Sequence, residues 1–281
     1  MPTASYVVIA IYIAFALVEL ARTHLFAKPE QTRDDAVVEV VSTIAVPVVI
    51  QPLILLTVDA LMSHYAPQLR GALANLNVLA AILLFLVLDD MTQYWWHRAS
   101  HSTHWLYNLH RAHHDGRYMS VRLVYRNNLF YYAMMPGIWL SGLLVYLGLG
   151  WVYAGYLIGK MAVIIGAHSD VAWDRPLYRI KALAPVMWLV ERTISTPATH
   201  HAHHGRHADD PAVNYKGNYG NLLFFWDVLF GTAKITRTYP KSYGVENLAP
   251  SGFGQQLVWP LVPENKRLPD EAPAETAPAS A

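Results

Sequence analysis

The sequence contains no cysteine and few charged residues. Its 281 residues are 15% charged, whereas about a quarter is usual for a soluble domain. The absence of cysteine excludes disulfides, thiolate metal sites, iron–sulfur clusters and a cysteine nucleophile. A basic excess is also missing, since 21 basic side chains stand against 20 acidic ones. This balance argues against nucleic acid as a partner.

The sequence is instead rich in apolar residues and in histidine. Apolar residues make up 54% of the chain, which favours an integral membrane protein over a soluble or disordered one. The 14 histidines are many for a chain that otherwise avoids polar residues. The histidines are therefore the first candidates for a functional site.

Several apolar runs are long enough to cross a bilayer, which takes about 20 residues of helix. The sequence predicts spans near 4–21, 37–62 and 76–96, and a helical hairpin with arms 129–147 and 151–168. No lysine or arginine precedes Arg22, so we expect a retained first helix rather than a cleaved signal peptide. Pro47 and Pro52 leave two alternatives for the second run, a kinked span or two re-entrant half-helices.

The expected fold is an all-α integral membrane protein of about four to five membrane helices, with a cytoplasmic helical cap that carries the histidines. The cap is placed in the cytoplasm because basic residues cluster after the third span: Arg98, Arg111, Arg117, Arg122 and Arg126. The alanine-rich composition and short loops favour a bacterial inner membrane.

The chain divides into three expected segments. Residues 1–79 hold the N-terminal membrane helices, 80–235 the histidine-containing domain, and 236–281 a C-terminal extension. Within the second segment, the amphipathic stretch 174–199 is expected to lie on the membrane surface or against the cap. After about residue 263 the composition turns to Pro, Ala and Glu, which predicts disorder.

Eight histidines form three boxes with helical spacing. The boxes are His97 and His101; His110, His113 and His114; and His200, His203 and His204. Residues three or four apart share one face of a helix, so each box aims several imidazoles at one point. Imidazole suits zinc, copper, iron and nickel. Eight rings exceed the four ligands of a structural zinc, so we expect two metal ions with positions left open.

Other histidines differ in their surroundings. His168 ends an apolar helix at the same expected depth as the boxes, so it is a further candidate ligand. His104, His201 and His207 lie in or near the boxes but off their register, and their contribution stays open. A membrane metal transporter or metal-binding protein is the alternative function. It is disfavoured because the boxes gather at one end of the spans.

Together these features resemble the fatty acid hydroxylase and sterol desaturase superfamily, most closely the branch that contains alkylglycerol monooxygenase. The resemblance covers roughly 80–235. Besides the boxes it rests on Asp90 and on segments 94–98, 196–197, 218–220, 225–227 and 229–232. Departures from the branch at Ser102, Arg117, Met119 and 216–217 leave the boxes intact and concern the substrate rather than the metal site.

The resemblance implies an oxidoreductase that uses O₂ to hydroxylate or desaturate a lipid. It implies two iron ions, and it makes His168 a ninth ligand beside the eight box histidines. The metal ligands are then the catalytic residues, and no separate acid or nucleophile is expected. Asp90 and Asp170 are candidates to orient ligand imidazoles. The candidate substrates are a sterol, a fatty acyl chain, an ether lipid and a carotenoid, and an electron-donor protein or a pterin must supply electrons.

Overall fold

The computed structural model describes residues 2–28, 30–248 and 251–262, and over these ranges it is helical, with no β-strand. The helices are α1 (Pro2–Arg22), α2 (Arg33–Tyr65), α3 (Val78–Ser102), α4 (His104–His114), α5 (Leu129–Ala133), α6 (Pro136–Leu144), α7 (Gly150–His168), α8 (Asp174–Tyr178), α9 (Ala184–Thr193), α10 (Pro197–His203), α11 (Phe225–Leu229) and α12 (Phe253–Val258). The all-α prediction is confirmed. The predicted disordered tail lies outside the described residues.

Within the described ranges, four helical stretches are long and apolar enough to cross a bilayer: Thr3–Arg22, Arg33–Tyr65, Val78–Ser102 and Pro136–His168. Their outward surfaces are apolar, with Ile9 and Leu17 of α1 and Leu53 and Leu56 of α2 all exposed. Such surfaces are expected where lipid is the solvent. The membrane-protein prediction is therefore confirmed.

The fourth stretch folds back on itself as the predicted hairpin. A π-helical turn, Val145–Leu149, ends α6, and Gly148 has φ 103°. This left-handed conformation suits glycine, and a Cβ there would also lie 3.0 Å from Gly71. The first arm begins later than the predicted residue 129, because α5 ends at Ala133 and Pro136 starts a new helix.

The second and third spans differ from the prediction in length and continuity. Of the two alternatives for the second run, α2 adopts the continuous one, with a π-helical turn at Val46–Ile50 that accommodates Pro47. Helix α3 extends to Ser102, beyond the predicted end at residue 96. The first histidine box therefore lies on the same rigid helix as the third span.

Helix packing places the N-terminal helices around the hairpin. Helix α1 packs against α7, the second half of α2 packs against α6, and α3 lies against both arms. Asp35 of α2 contacts Arg126, and the backbone oxygen of Trp259 accepts a hydrogen bond from Asn128. The three segments expected from the sequence thus contact one another, and their division into domains stays a prediction.

Candidate metal centre

Nine buried or half-buried histidines converge in two neighbouring groups. In each group every residue offers one ring nitrogen, and these nitrogens lie within 4.8 Å of one another. The first group contains His97, His101, His110, His114 and His203, and the second contains His113, His168, His200 and His204. The groups adjoin, since the rings of His114 and His204 stack with centroids 4.4 Å apart. These are the nine histidines singled out from the sequence.

The second and third boxes are each divided between the two groups. His110 and His114 are four residues apart and stay together in the first group, while His113 faces the second. The third box divides at the same positions with the groups exchanged: His200 and His204 lie in the second group, and His203 lies in the first. A helix advances 3.6 residues per turn, so the i+3 and i+4 side chains diverge and reach different points. This arrangement interlocks the two groups.

Helix termini bring the boxes together. The extended backbone of Thr103 ends α3 and lets α4 fold back against it. The side chain of Thr196 accepts a hydrogen bond from the backbone N–H of Thr199 and so starts α10, with Pro197 in its first turn. His168 is the last residue of α7, which packs on α10. The three boxes and His168 therefore lie at or near helix ends that pack together.

Ring nitrogens face one another at close range inside each group. Nε2 of His203 lies 2.9 Å from Nε2 of His97. Nε2 of His200 lies 3.0 Å from that of His168 and 3.1 Å from that of His204. Two nitrogens bound at about 2.1 Å to one ion, at right angles, would lie about 3.0 Å apart. The observed spacings therefore fit rings that share a cation.

Backbone oxygens fix the orientation of several rings. The acceptors are Tyr219 O for His97 Nδ1 at 2.7 Å, Gly217 O for His203 Nδ1 at 2.7 Å, Arg126 O for His113 Nδ1 at 3.0 Å and Ile164 O for His168 Nδ1 at 2.8 Å. A carbonyl oxygen only accepts hydrogen bonds, so a neutral ring in this position carries its proton on Nδ1. Nε2 then keeps a lone pair for a metal.

Burial also keeps the imidazoles outside the spans neutral. It lowers the pKa of six of them well below the usual range: His110, His113, His114, His200, His203 and His204. Desolvation of the charged ring is the main cause, and neighbouring imidazoles add to it. Neutral imidazole is the form that coordinates metals. The residues present thus fit a pair of metal ions.

The two aspartates expected to orient the imidazoles have other partners. Asp90 Oδ2 accepts hydrogen bonds from Trp226 Nε1 at 2.8 Å and from Leu223 N at 3.1 Å. The carboxylate of Asp170 pairs with Lys28. Asp90 therefore joins α3 to α11, and Asp170 joins the end of α7 to the loop after α1. In the structure, backbone oxygens rather than these two carboxylates orient the imidazole rings. The positions of backbone oxygens cannot be read from the amino-acid sequence.

Three further histidines lie near the boxes without joining either group. The ring of His201 is buried, with Nε2 3.0 Å from Ser169 O and Nδ1 3.1 Å from the Tyr243 hydroxyl. His207 pairs with Glu246 on the surface. Nε2 of His104 lies 3.4 Å from Asn108 Nδ2. His201 thus supports the loop after His168 from the outside.

The loop after the third box carries two of the orienting oxygens. Asp227 accepts hydrogen bonds from the backbone N–H groups of Tyr219 and Gly220 at 2.8 and 2.6 Å. The amide of Asn218 donates to the backbone oxygens of Thr199 and Lys234 at 2.9 and 3.0 Å. These bonds fix Tyr219 O against His97. The motifs at 218–220 and 225–227 therefore position the His97 ring and are not themselves part of either histidine group.

Two openings reach the histidine groups. A cavity of about 80 Å³ lies between α3, the two hairpin arms and the segment around Tyr131, and we name it the membrane-side cavity. His97, His110, His113 and His168 line it. A separate, larger groove of about 520 Å³ reaches His101 and His114, and it is lined by the end of α3, by α4 and by the loops around Arg206, Tyr215 and Val245. The cavity thus borders both histidine groups.

Comparison with known proteins agrees with this geometry. Residues 82–232, more than half of the chain, match the fatty acid hydroxylase family model. The chain is 28% identical over 143 residues to alkylglycerol monooxygenase of Danio rerio, and 27% identical over 143 residues to that of Homo sapiens. Each match covers 51% of this chain and 28% of the relative. No solved structure matches the chain significantly. The chain belongs to the fatty acid hydroxylase family.

Proposed function

We propose that this protein is a membrane oxygenase that uses O₂ and a pair of iron ions to hydroxylate or desaturate a lipid. The observation that carries the proposal is the pair of adjacent histidine groups that border the membrane-side cavity. The family supports the reaction class, and the relatives are named monooxygenases. Because the chain spans only 28% of those relatives, their substrates are not transferred to it.

All nine histidines of the two groups act as ligands in this proposal, five in one group and four in the other. When bound, the iron pair supplies the activation of O₂. The chain itself holds the neutral rings in register through Tyr219 O, Gly217 O, Arg126 O and Ile164 O. The buried surroundings keep bulk water from the reacting carbon.

The overall reaction requires an external source of electrons. Hydroxylation places one oxygen atom of O₂ in a C–H bond and reduces the other to water. Desaturation removes two hydrogens and yields two waters. Each takes two electrons and two protons from outside the lipid and O₂. We propose an electron-donor protein or a pterin as that source, since no haem, flavin or nicotinamide motif occurs in the sequence.

We also propose that the histidine groups face the cytoplasm of a bacterial inner membrane. The support is the basic cluster after the third span. Two of its members, Arg111 and Arg126, are buried, so the exposed basic surface is smaller than the sequence suggests. The vertebrate source of the relatives leaves the organism open. Since the chain has no cysteine, a single Asp209→Cys variant reports the side through labelling with a membrane-impermeant thiol reagent.

Comparative lipid mass spectrometry tests the proposed reaction. Cells with and without the protein should differ in lipids related by one added oxygen or two lost hydrogens. His113→Ala should abolish the difference, while His64→Ala should retain it, because His64 is exposed at the end of α2. Metal uptake into vesicles without any lipid change would instead support the transporter alternative. That outcome is disfavoured, because both histidine groups lie at one end of the spans.

A further inference from the structure

Besides its histidines, the membrane-side cavity is lined by buried polar and charged side chains, which we call its polar wall. Gln93 and Asp89 of α3, Ser141 of α6 and Lys160 of α7 all line this cavity. All four side chains are buried, with the residues between 1% and 8% exposed. Polar and charged groups at membrane depth are costly and usually serve a function. The proposed oxygen chemistry, which needs only the metal ligands, leaves these four residues without a role.

Two of these side chains have a buried polar atom with no hydrogen-bond partner in the described structure: Gln93 Oε1 and Ser141 Oγ. An unsatisfied buried polar group costs about 1–3 kcal/mol. A serine in a helix ordinarily satisfies its hydroxyl with a carbonyl one turn earlier, as Ser42 does with Val38 O. Ser141 makes no such bond. Its hydroxyl and the Gln93 carboxamide oxygen are therefore available to a molecule in the cavity.

The charges in the wall cancel. Lys160 Nζ lies 2.6 Å from Asp89 Oδ2, which also accepts a hydrogen bond from the Tyr156 hydroxyl at 2.8 Å. An ammonium group has three N–H donors, and Asp89 accepts one of them. Lys160 thus has donor capacity left, although its charge is compensated. A carboxylate in the cavity would add a buried charge beside Asp89, whereas a hydroxyl or carbonyl oxygen would not.

We propose that Gln93, Ser141 and Lys160 form a subsite that binds an uncharged oxygen-bearing group of the lipid substrate. Ser141 and Lys160 donate hydrogen bonds to that oxygen, and Gln93 accepts one where the group is a hydroxyl. The subsite selects neutral polar lipids over plain hydrocarbons and over free fatty acids. This inference rests on the proposed function, because the same cavity holds the reacting carbon.

Three probes with the same sixteen-carbon chain test the subsite: 1-hexadecanol, hexadecane and hexadecanoate. Each is radiolabelled, and its retention by the full-length protein in phosphatidylcholine nanodiscs is corrected for empty nanodiscs. The wild-type protein should retain hexadecanol at least tenfold more tightly than the other two. Ser141→Ala and Gln93→Leu should each remove most of that preference, since one lost hydrogen bond of about 1.4 kcal/mol is tenfold in affinity. Hexadecane retention should stay unchanged.

Ser42→Ala is the matched control, because Ser42 is a buried serine of α2 and does not itself line the cavity. It should bind all three probes like the wild type. Should Gln93→Leu fail to fold, the double variant Asp89→Asn/Lys160→Met leaves no lone buried charge and should also lose the preference. Equal retention of hexadecanol and hexadecane by the wild type would overturn the subsite, as would no retention of any of the three probes above empty nanodiscs. Tightest binding of hexadecanoate would overturn its neutral specificity.

Iron content and lipid oxidation, measured on the same samples, separate the two proposals. A wild-type protein that prefers hexadecanol but holds no iron and oxidises no lipid would refute the oxygenase and retain the subsite. An active, iron-loaded protein whose Ser141→Ala and Gln93→Leu variants keep the wild-type order of probes would refute the subsite alone.

Discussion

Nε2 of His97 lies 2.9 Å from Nε2 of His203, although 106 positions separate the two residues in the sequence. Both rings have Nδ1 next to a backbone oxygen, so both turn an unprotonated nitrogen toward the other. Two lone pairs repel at this distance unless a cation lies between them. In the second group the Nε2 atoms of His168 and His200 likewise lie 3.0 Å apart, and there His168 alone of the two has Nδ1 beside a backbone oxygen. The pairing is the physical reason to expect two metal ions.

The first prediction is a metal content of two ions per chain, with iron in the active protein. His203→Ala and His168→Ala should each lower it to about one, because each removes a ring from a different group. Elemental analysis of purified protein measures this, and zinc is counted as well because imidazole also binds zinc. A wild-type stoichiometry of one or zero in well-folded protein would contradict the two-ion site.

The second prediction separates two neighbouring buried histidines. His200→Ala should lose bound iron, whereas His201→Ala should retain both ions. His200 belongs to the second group, while His201 bonds to Ser169 O and to the Tyr243 hydroxyl. Iron per chain in the two variants measures the difference. Equal loss in both would mean that disruption of α10, rather than loss of a ligand, empties the site.

The nine histidines could be found from the sequence, because the spacing of the boxes and the family motifs are properties of residue types and positions. The hairpin could be placed as well, because Gly148 interrupts an uncharged run. The sequence did not show that His113 and His203 each lie in a different group from the other histidines of their box. That division depends on how α4 and α10 face each other. The sequence offered Asp90 and Asp170 as candidates to orient the rings, since carboxylates are visible in a sequence and a carbonyl such as Ile164 O is not.

The third prediction concerns Asp170, which the sequence suggested as the partner of His168. Asp170→Asn should leave both ions bound, because Ile164 O orients the His168 ring and Asp170 pairs with Lys28. The variant should melt at a modestly lower temperature, because it loses the ion pair that joins the end of α7 to the loop after α1. Iron content and melting temperature measure the two effects. Loss of one ion in Asp170→Asn would restore the direct role expected from the sequence.

The fourth prediction concerns Arg126, whose side chain is fully buried. Its guanidinium donates to Ala112 O at 2.8 Å, to Asp35 at 2.6 Å and to Gln256 at 2.8 Å. Arg126→Met should destabilise the protein by about 3–5 kcal/mol, because it leaves buried acceptors and a charge unpaired. It should also loosen iron, since Arg126 O orients His113.

Arg117→Met is the control for Arg126→Met, because Arg117 pairs with Glu30 on the exposed surface. Exposed ion pairs contribute little to stability, so this variant should melt near the wild-type temperature and keep its iron. Thermal unfolding followed by fluorescence and elemental analysis covers both variants. A similar small effect in Arg126→Met would show that the buried network can rearrange without it.

The last prediction tests the close approach of the hairpin to the third span. A Cβ added at Gly137 would lie 2.7 Å from Asp89 Oδ1 and 2.9 Å from the Asp89 backbone oxygen. Both atoms belong to α3 near the subsite, and the backbone oxygen cannot rotate away. Gly137→Ala should therefore separate α6 from α3 and lower the free energy of unfolding by about 1–3 kcal/mol, the range of overpacked cores.

Gly155→Ala in α7 is the control, because a Cβ added there meets nothing within 4 Å. Alanine also stabilises a helix by about 1 kcal/mol relative to glycine. Melting temperatures should fall for Gly137→Ala and hold or rise for Gly155→Ala. The reverse order would mean that α6 and α3 do not touch at Asp89 in the membrane.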